Sequence, residues 1–134
     1  MREIGIMQGR LLPPIKGHIQ AFPEKRWREE FAIARECGLG FIEWIFEAQN
    51  WESNPIIANP MEIQEETNNH GTRVVSLIAD FFMNLPLIRA SKREECERME
   101  ILSDLIDNAN EIGIKFINIP FVDKNLPKSI DNFS

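Results

Sequence analysis

A chain of 134 residues is long enough for one domain with its own core, because a chain of this size buries about two thirds of its unfolded surface. Its composition, 43% hydrophobic and 27% charged, is that of an ordinary globular protein, and its longest apolar runs are too short to span a bilayer, which excludes a membrane partner. The formal net charge of −6 opposes nucleic acid as a partner, since phosphate binding needs a concentrated basic surface.

The start, Met1-Arg2-Glu3-Ile4, lacks the apolar core of a secretory signal, so a cytoplasmic location is expected. Cys37 and Cys96 fall on expected helices without metal-type spacing and read as reduced packing residues.

In chain order, a first strand near 3–9 is an apolar run that turns polar at Gln8, Gly9 and Arg10. Residues 11–23 hold three prolines and one glycine and read as a long loop, a usual place for ligand contacts. A helix near 23–37 opens at Pro23 and places Trp27, Phe31 and Ala34 on one face; its basic run Lys25-Arg26-Trp27-Arg28, answered by Glu29-Glu30, reads as a solvated face. The second strand, near 41–47, leads into a long connection over 48–60. A helix near 60–70 has Ile63, Thr67 and His70 on one side, with His70 suited to its carboxyl end. The third strand, near 73–80, runs into an apolar loop, Phe81-Phe82-Met83-Asn84-Leu85-Pro86. Ser91-Lys92-Arg93-Glu94 is a capping box that opens a helix near 91–112, with an apolar stripe of Met99, Leu102, Leu105, Ile106, Ala109 and Ile112. A fourth strand is expected near 115–122, and residues 123–134 show no complete helix.

One pattern recurs three times. Gly38, Gly71 and Gly113 each follow a helical pattern and sit three residues ahead of an aromatic or β-branched pair, and each following strand ends near a carboxylate: Glu47, Asp80, Asp123. A helix, glycine, strand unit repeated in this way predicts an α/β fold of βα units, with parallel strands and right-handed crossovers. An open doubly wound sheet and half of an eight-stranded barrel both satisfy it.

Ile4-Gly5-Ile6-Met7-Gln8-Gly9-Arg10-Leu11, Cys37-Gly38-Leu39-Gly40-Phe41-Ile42-Glu43-Trp44, Ser76-Leu77-Ile78-Ala79-Asp80 and Ile119-Pro120-Phe121-Val122-Asp123 resemble, in order and spacing, the first four strands of the sugar phosphate isomerase/epimerase group of xylose-isomerase-like TIM barrels. The resemblance implies a single partial barrel domain over 1–134, an amino-terminal half, because a full barrel needs about 250 residues. It implies a metal-dependent sugar or sugar phosphate isomerase or epimerase whose divalent ion, manganese or magnesium, and catalytic glutamates lie on later strands. No metal ligand or catalytic residue is therefore carried onto this chain, which is expected to be inactive alone and to bind no metal.

The positions that map to the pocket are Gln8, Arg10, Glu43, Glu47, Asp80, Asn118 and Asp123, joined by His18 and Trp51 as loop candidates. Each has a plainer reading. Glu43, a charge inside an apolar strand, needs a partner and suits a structural role at the mouth; Glu47 suits a solvated loop. Asp80 and Asp123 suit caps or turns, Arg10 a surface ion pair, and His18 a plain surface position. Trp44 suits core packing, whereas Trp51 is open to stacking on a sugar ring.

Other chemistries lack their motifs. No glycine-rich phosphate loop follows a strand, and no serine elbow or cysteine–histidine pair is present. An endonuclease IV-like repair fragment is an alternative, but it needs a basic groove that this chain lacks. A non-catalytic α/β module that forms homo-oligomers through open sheet edges is the other alternative.

Overall fold

The computed structural model describes residues 3–128. Strand β1 (Gly5–Met7) leads through a long loop to helix α1 (Trp27–Glu36) and strand β2 (Phe41–Ile45). A 3-10 turn, Trp51–Ser53, and two helices, α2 (Pro55–Ala58) and α3 (Pro60–His70), precede β3 (Arg73–Ile78). Then come α4 (Phe81–Asn84), α5 (Lys92–Glu111), β4 (Phe116–Asn118) and a 3-10 turn at Asp123–Asn125.

All strand pairs are parallel and the sheet order is β1-β2-β3-β4. The fold is thus α/β with repeated βα units. Among the described residues the order never reverses, so their sheet has no switch-point crevice of the kind a doubly wound sheet uses for ligands. Crossovers of one hand that always step the same way place their helices on one face of the sheet. Contacts between α1 and α3, α3 and α5, and α2 and α5 show the helices side by side.

The helix-side face carries the core. Trp44 on β2 is fully buried, with the Trp27, Phe31 and Phe22 rings 5.4–6.5 Å from its own. Its indole N–H donates to Asn54, whose amide in turn donates to the Ile45 carbonyl. This satisfies the one polar atom that core burial would otherwise leave without a partner. Phe46, Phe81 and Phe82 extend the core past the strand ends.

Side chains alternate along a strand, so the opposite face holds the register partners Gly5 and Phe41, Met7 and Glu43, and Ser76 and Phe116. It is unevenly covered: Phe116 is 69% exposed, whereas Ile45 and Ile78 further along are buried. A Cβ on Gly5 would lie 2.0 Å from the Phe41 ring, so the aromatic fills the space that glycine leaves.

The glycines that follow the helices do what their spacing predicts. Gly71 closes α3 at φ 75°, donating to the Thr67 carbonyl, and Gly38 and Gly113 also have positive φ. Several boundaries differ from expectation. β4 stops at Asn118, where β3 ends and leaves it no partner; the Asn118 carbonyl takes the last bond, from Ala79. α1 starts at Trp27 because Pro23 closes a turn with Arg26, whose φ of −129° is not helical. The expected apolar loop after β3 contains the short helix α4, and the 48–60 connection contains α2. The stripe on α5 is narrower than read: Leu102, Leu105 and Ala109 are buried, but Met99 and Ile106 are about half exposed. Cys37 and Cys96 are free thiols, but exposed ones, not the buried packing residues expected. Residues 129–134 of the expected polar end lie outside the described residues. No helix among the described residues is long and apolar enough to cross a membrane.

Candidate functional site

The carboxyl end of β1 is fixed from behind by α1. Gln8 is fully buried; its backbone N–H continues the ladder to the Glu43 carbonyl and its side-chain oxygen accepts from the Ile45 N–H. Gly9 then turns the chain at φ 86° and donates to Glu30 at 2.6 Å, while a Cβ there would meet the Ala21 carbonyl at 2.6 Å. Only glycine meets both demands. Glu30, fully buried on α1, is the anchor. Burial pushes its carboxyl up to about 7, against the pull of the Gly9 and Leu11 N–H groups and the Gln8 amide. The Gln8 amide nitrogen and the second Glu30 oxygen complete no hydrogen bond of their own.

Polar groups gather along β2 and β3 and just beyond them. Glu43 accepts from the Ser76 hydroxyl at 2.8 Å, the two being register partners on the face away from the helices. Asp80, two residues past β3, accepts from the Gln20 amide at 2.8 Å. Burial raises the Asp80 carboxyl above the usual range; Gln20 opposes the rise and the Glu43 charge adds to it. Glu47 accepts from the Phe22 N–H at 3.1 Å and is also raised, first by burial, with Asp80 adding and His18 opposing. Asp80 thus lies within reach of both the Glu43 and Glu47 charges, and each of the three carboxylates has a different hydrogen-bond donor.

Beside this mouth the β1–α1 loop folds back on itself. Ile15 and His18 exchange backbone hydrogen bonds, with Lys16 and Gly17 between them at φ 50° and 79°. Two positive φ values suit the mirror-image turn that joins tight hairpins. The hairpin, the turn before α1 and the loop after β2 line a cleft of about 670 Å³.

The structure brings some candidates together and separates others. Glu43 and Asp80 share the mouth, and His18 lines the adjoining cleft. Gln8 lies inside, bracing β2, and Arg10 is exposed. Trp51 is half-buried and packs edge-on against Phe46 and Phe81, so its ring completes the core. Asn118 is exposed at the end of β4, and Asp123 opens a 3-10 turn at φ 53°. Glu47 is hydrogen-bonded to the loop backbone instead of being free in solvent.

Sequence reasoning missed Gln20, Ser76 and Glu30. Ser76 meets Glu43 only because the β2–β3 register shifts between Ile42 and Glu43, which no local pattern announces. Glu30 sits one residue before Phe31, within a helical stretch whose neighbours are charged, and nothing local marks it as the inward member. Among the described residues no three His, Cys, Asp or Glu side chains are grouped to hold a metal ion. The divalent ion implied by the resemblance has no ready donor set there. Comparison with protein-family models finds no match, and neither does comparison with functionally characterised proteins.

Proposed function

We propose that this chain forms the first four βα units of a barrel that binds a sugar or sugar phosphate, in the manner of the isomerases and epimerases it resembles. One observation carries the reading: Asp80, two residues past β3 and held by Gln20, feels the charge of Glu43, which Ser76 holds midway along the adjacent parallel strand β2, and Gln20 also lines an open cleft. Sugar hydroxyls both donate and accept, and carboxylates each with one donor already in place keep acceptor sites free for them. Strand carboxyl ends are where barrels of this kind keep ligand contacts. In this reading Asp80, Glu43 and Gln20 bind and orient the sugar. The proton transfer between carbons beside a carbonyl, which defines isomerisation and epimerisation, falls to groups outside this chain.

Calorimetric titration with unphosphorylated ketoses and aldoses tests the reading. Saturable binding that Asp80→Ala or Glu43→Ala weakens about tenfold or more is expected, the cost of removing a charged hydrogen-bond partner. Binding that is absent, or equal in both variants, overturns it; circular dichroism verifies that each variant is folded.

A second reading, a non-catalytic module that associates through its sheet edges, is favoured by the 69% exposure of Phe116 on edge strand β4 and the 67% exposure of Ile4 beside β1. Concentration-dependent dimerisation in sedimentation, abolished by Phe116→Lys, would support it; a monomer at all concentrations would exclude it.

A further inference from the structure

We infer that the cleft beside the Ile15–His18 hairpin is an anion subsite that takes the phosphate group of a phosphorylated ligand. Lys16, His18, Lys25 and Arg26 line it together with only two acids, Glu24 and Glu47. Both acids are already engaged. Glu24 accepts from Asn50 and Ser53, and Glu47 accepts from the Phe22 N–H. Arg26 is committed to Glu29 through two hydrogen bonds. The side chains of Lys16 and Lys25 make no hydrogen bond or ion pair among the described residues, so their charges are free for a ligand. In a chain of net charge −6, two uncommitted lysines on one cleft run against the general field of the protein.

Shape agrees with charge. A cleft of about 670 Å³ is the size of a small-molecule site. Lys16 and His18 belong to a hydrogen-bonded hairpin, and Lys25 to the turn that opens α1, so the cations are set by backbone structure and not carried on free coil. Gln20 lines the same cleft and also donates to Asp80, which joins the anion site to the mouth above. The ligand this calls for carries hydroxyls at one end and phosphate at the other. This inference rests on the sugar-binding reading for the hydroxyl end of that ligand; the phosphate end stands on the cleft alone.

Titration of the ¹⁵N-labelled chain with inorganic phosphate, against sodium chloride at matched ionic strength, tests the cleft. Saturable shifts at Lys16–Gln20 are expected with phosphate and not with chloride. The double variant Lys16→Asn, Lys25→Gln, which leaves a residue tolerant of positive φ in the turn, should weaken binding at least about tenfold. Shifts no larger than those from chloride, or equal affinity in the double variant, overturn the inference. A parallel titration with an unphosphorylated ketose separates the two ideas. Phosphate binding without ketose binding keeps the anion subsite and removes the sugar reading; ketose binding without phosphate binding does the reverse.

Discussion

Glu30→Gln is expected to flatten the pH dependence of stability, because Glu30 is a fully buried carboxyl whose folded-state pKa of about 7 lies above its ordinary 4.5. Below pH 4.5 the group is protonated in both states and costs nothing. As pH rises toward 7 the unfolded chain releases the proton while the folded chain keeps it, so stability falls through this window and levels off above it. At about 1.4 kcal/mol per pH unit the gap amounts to about 3 kcal/mol. Asp80 and Glu47 are raised as well and add losses of the same sign, so the informative quantity is the difference between wild type and variant. Glutamine keeps an acceptor for the Gly9 N–H without the buried charge. Urea unfolding followed by the fluorescence of buried Trp27 and Trp44 at pH 4.5 and pH 8 reads the effect. The wild type should lose about 3 kcal/mol more than Glu30→Gln between those values. Parallel losses in the two proteins would refute the reasoning, since Glu30 would then be ionised in both states.

Three further outcomes follow from the same structure. Gly9→Ala must both hold a positive φ and displace the Ala21 carbonyl, so a loss of about 3 kcal/mol or more is expected in thermal or urea unfolding. Asn54→Ala leaves the Trp44 indole N–H and the Ile45 carbonyl buried without partners and should cost about 3 kcal/mol, seen as a lowered unfolding midpoint. Both cysteines should react with a thiol reagent in the native protein at rates close to those in the unfolded chain, because Cys37 and Cys96 are exposed.

The repeated glycines made the fold legible. A helix that stops at Gly38, Gly71 or Gly113 and a buried apolar run directly afterwards leave little freedom but parallel βα units, and the strands fall where those runs lie. The capping box at Ser91 and Glu94 marked the start of the longest helix, and both of its reciprocal hydrogen bonds are present. What could not be read was set by long-range pairing. Nothing near Glu30 says that it turns inward to hold Gly9, twenty-one residues earlier. Gln20 lies in a proline-rich loop, and its partner Asp80 is sixty residues away. The lengths of β1 and β4 depend on where their neighbours end, which local propensity does not encode. Trp51 looked free for stacking because its partners, Phe46 and Phe81, are contributed by different strand ends.

A crystal structure of the chain grown with a saturating ketose phosphate would place the ligand on the strands and the cleft. Sugar hydroxyls are expected on Asp80, Glu43 and Gln20, with the phosphate between Lys16 and Lys25. Ligand bound elsewhere on the chain, with the ends of β2 and β3 empty, would contradict that placement.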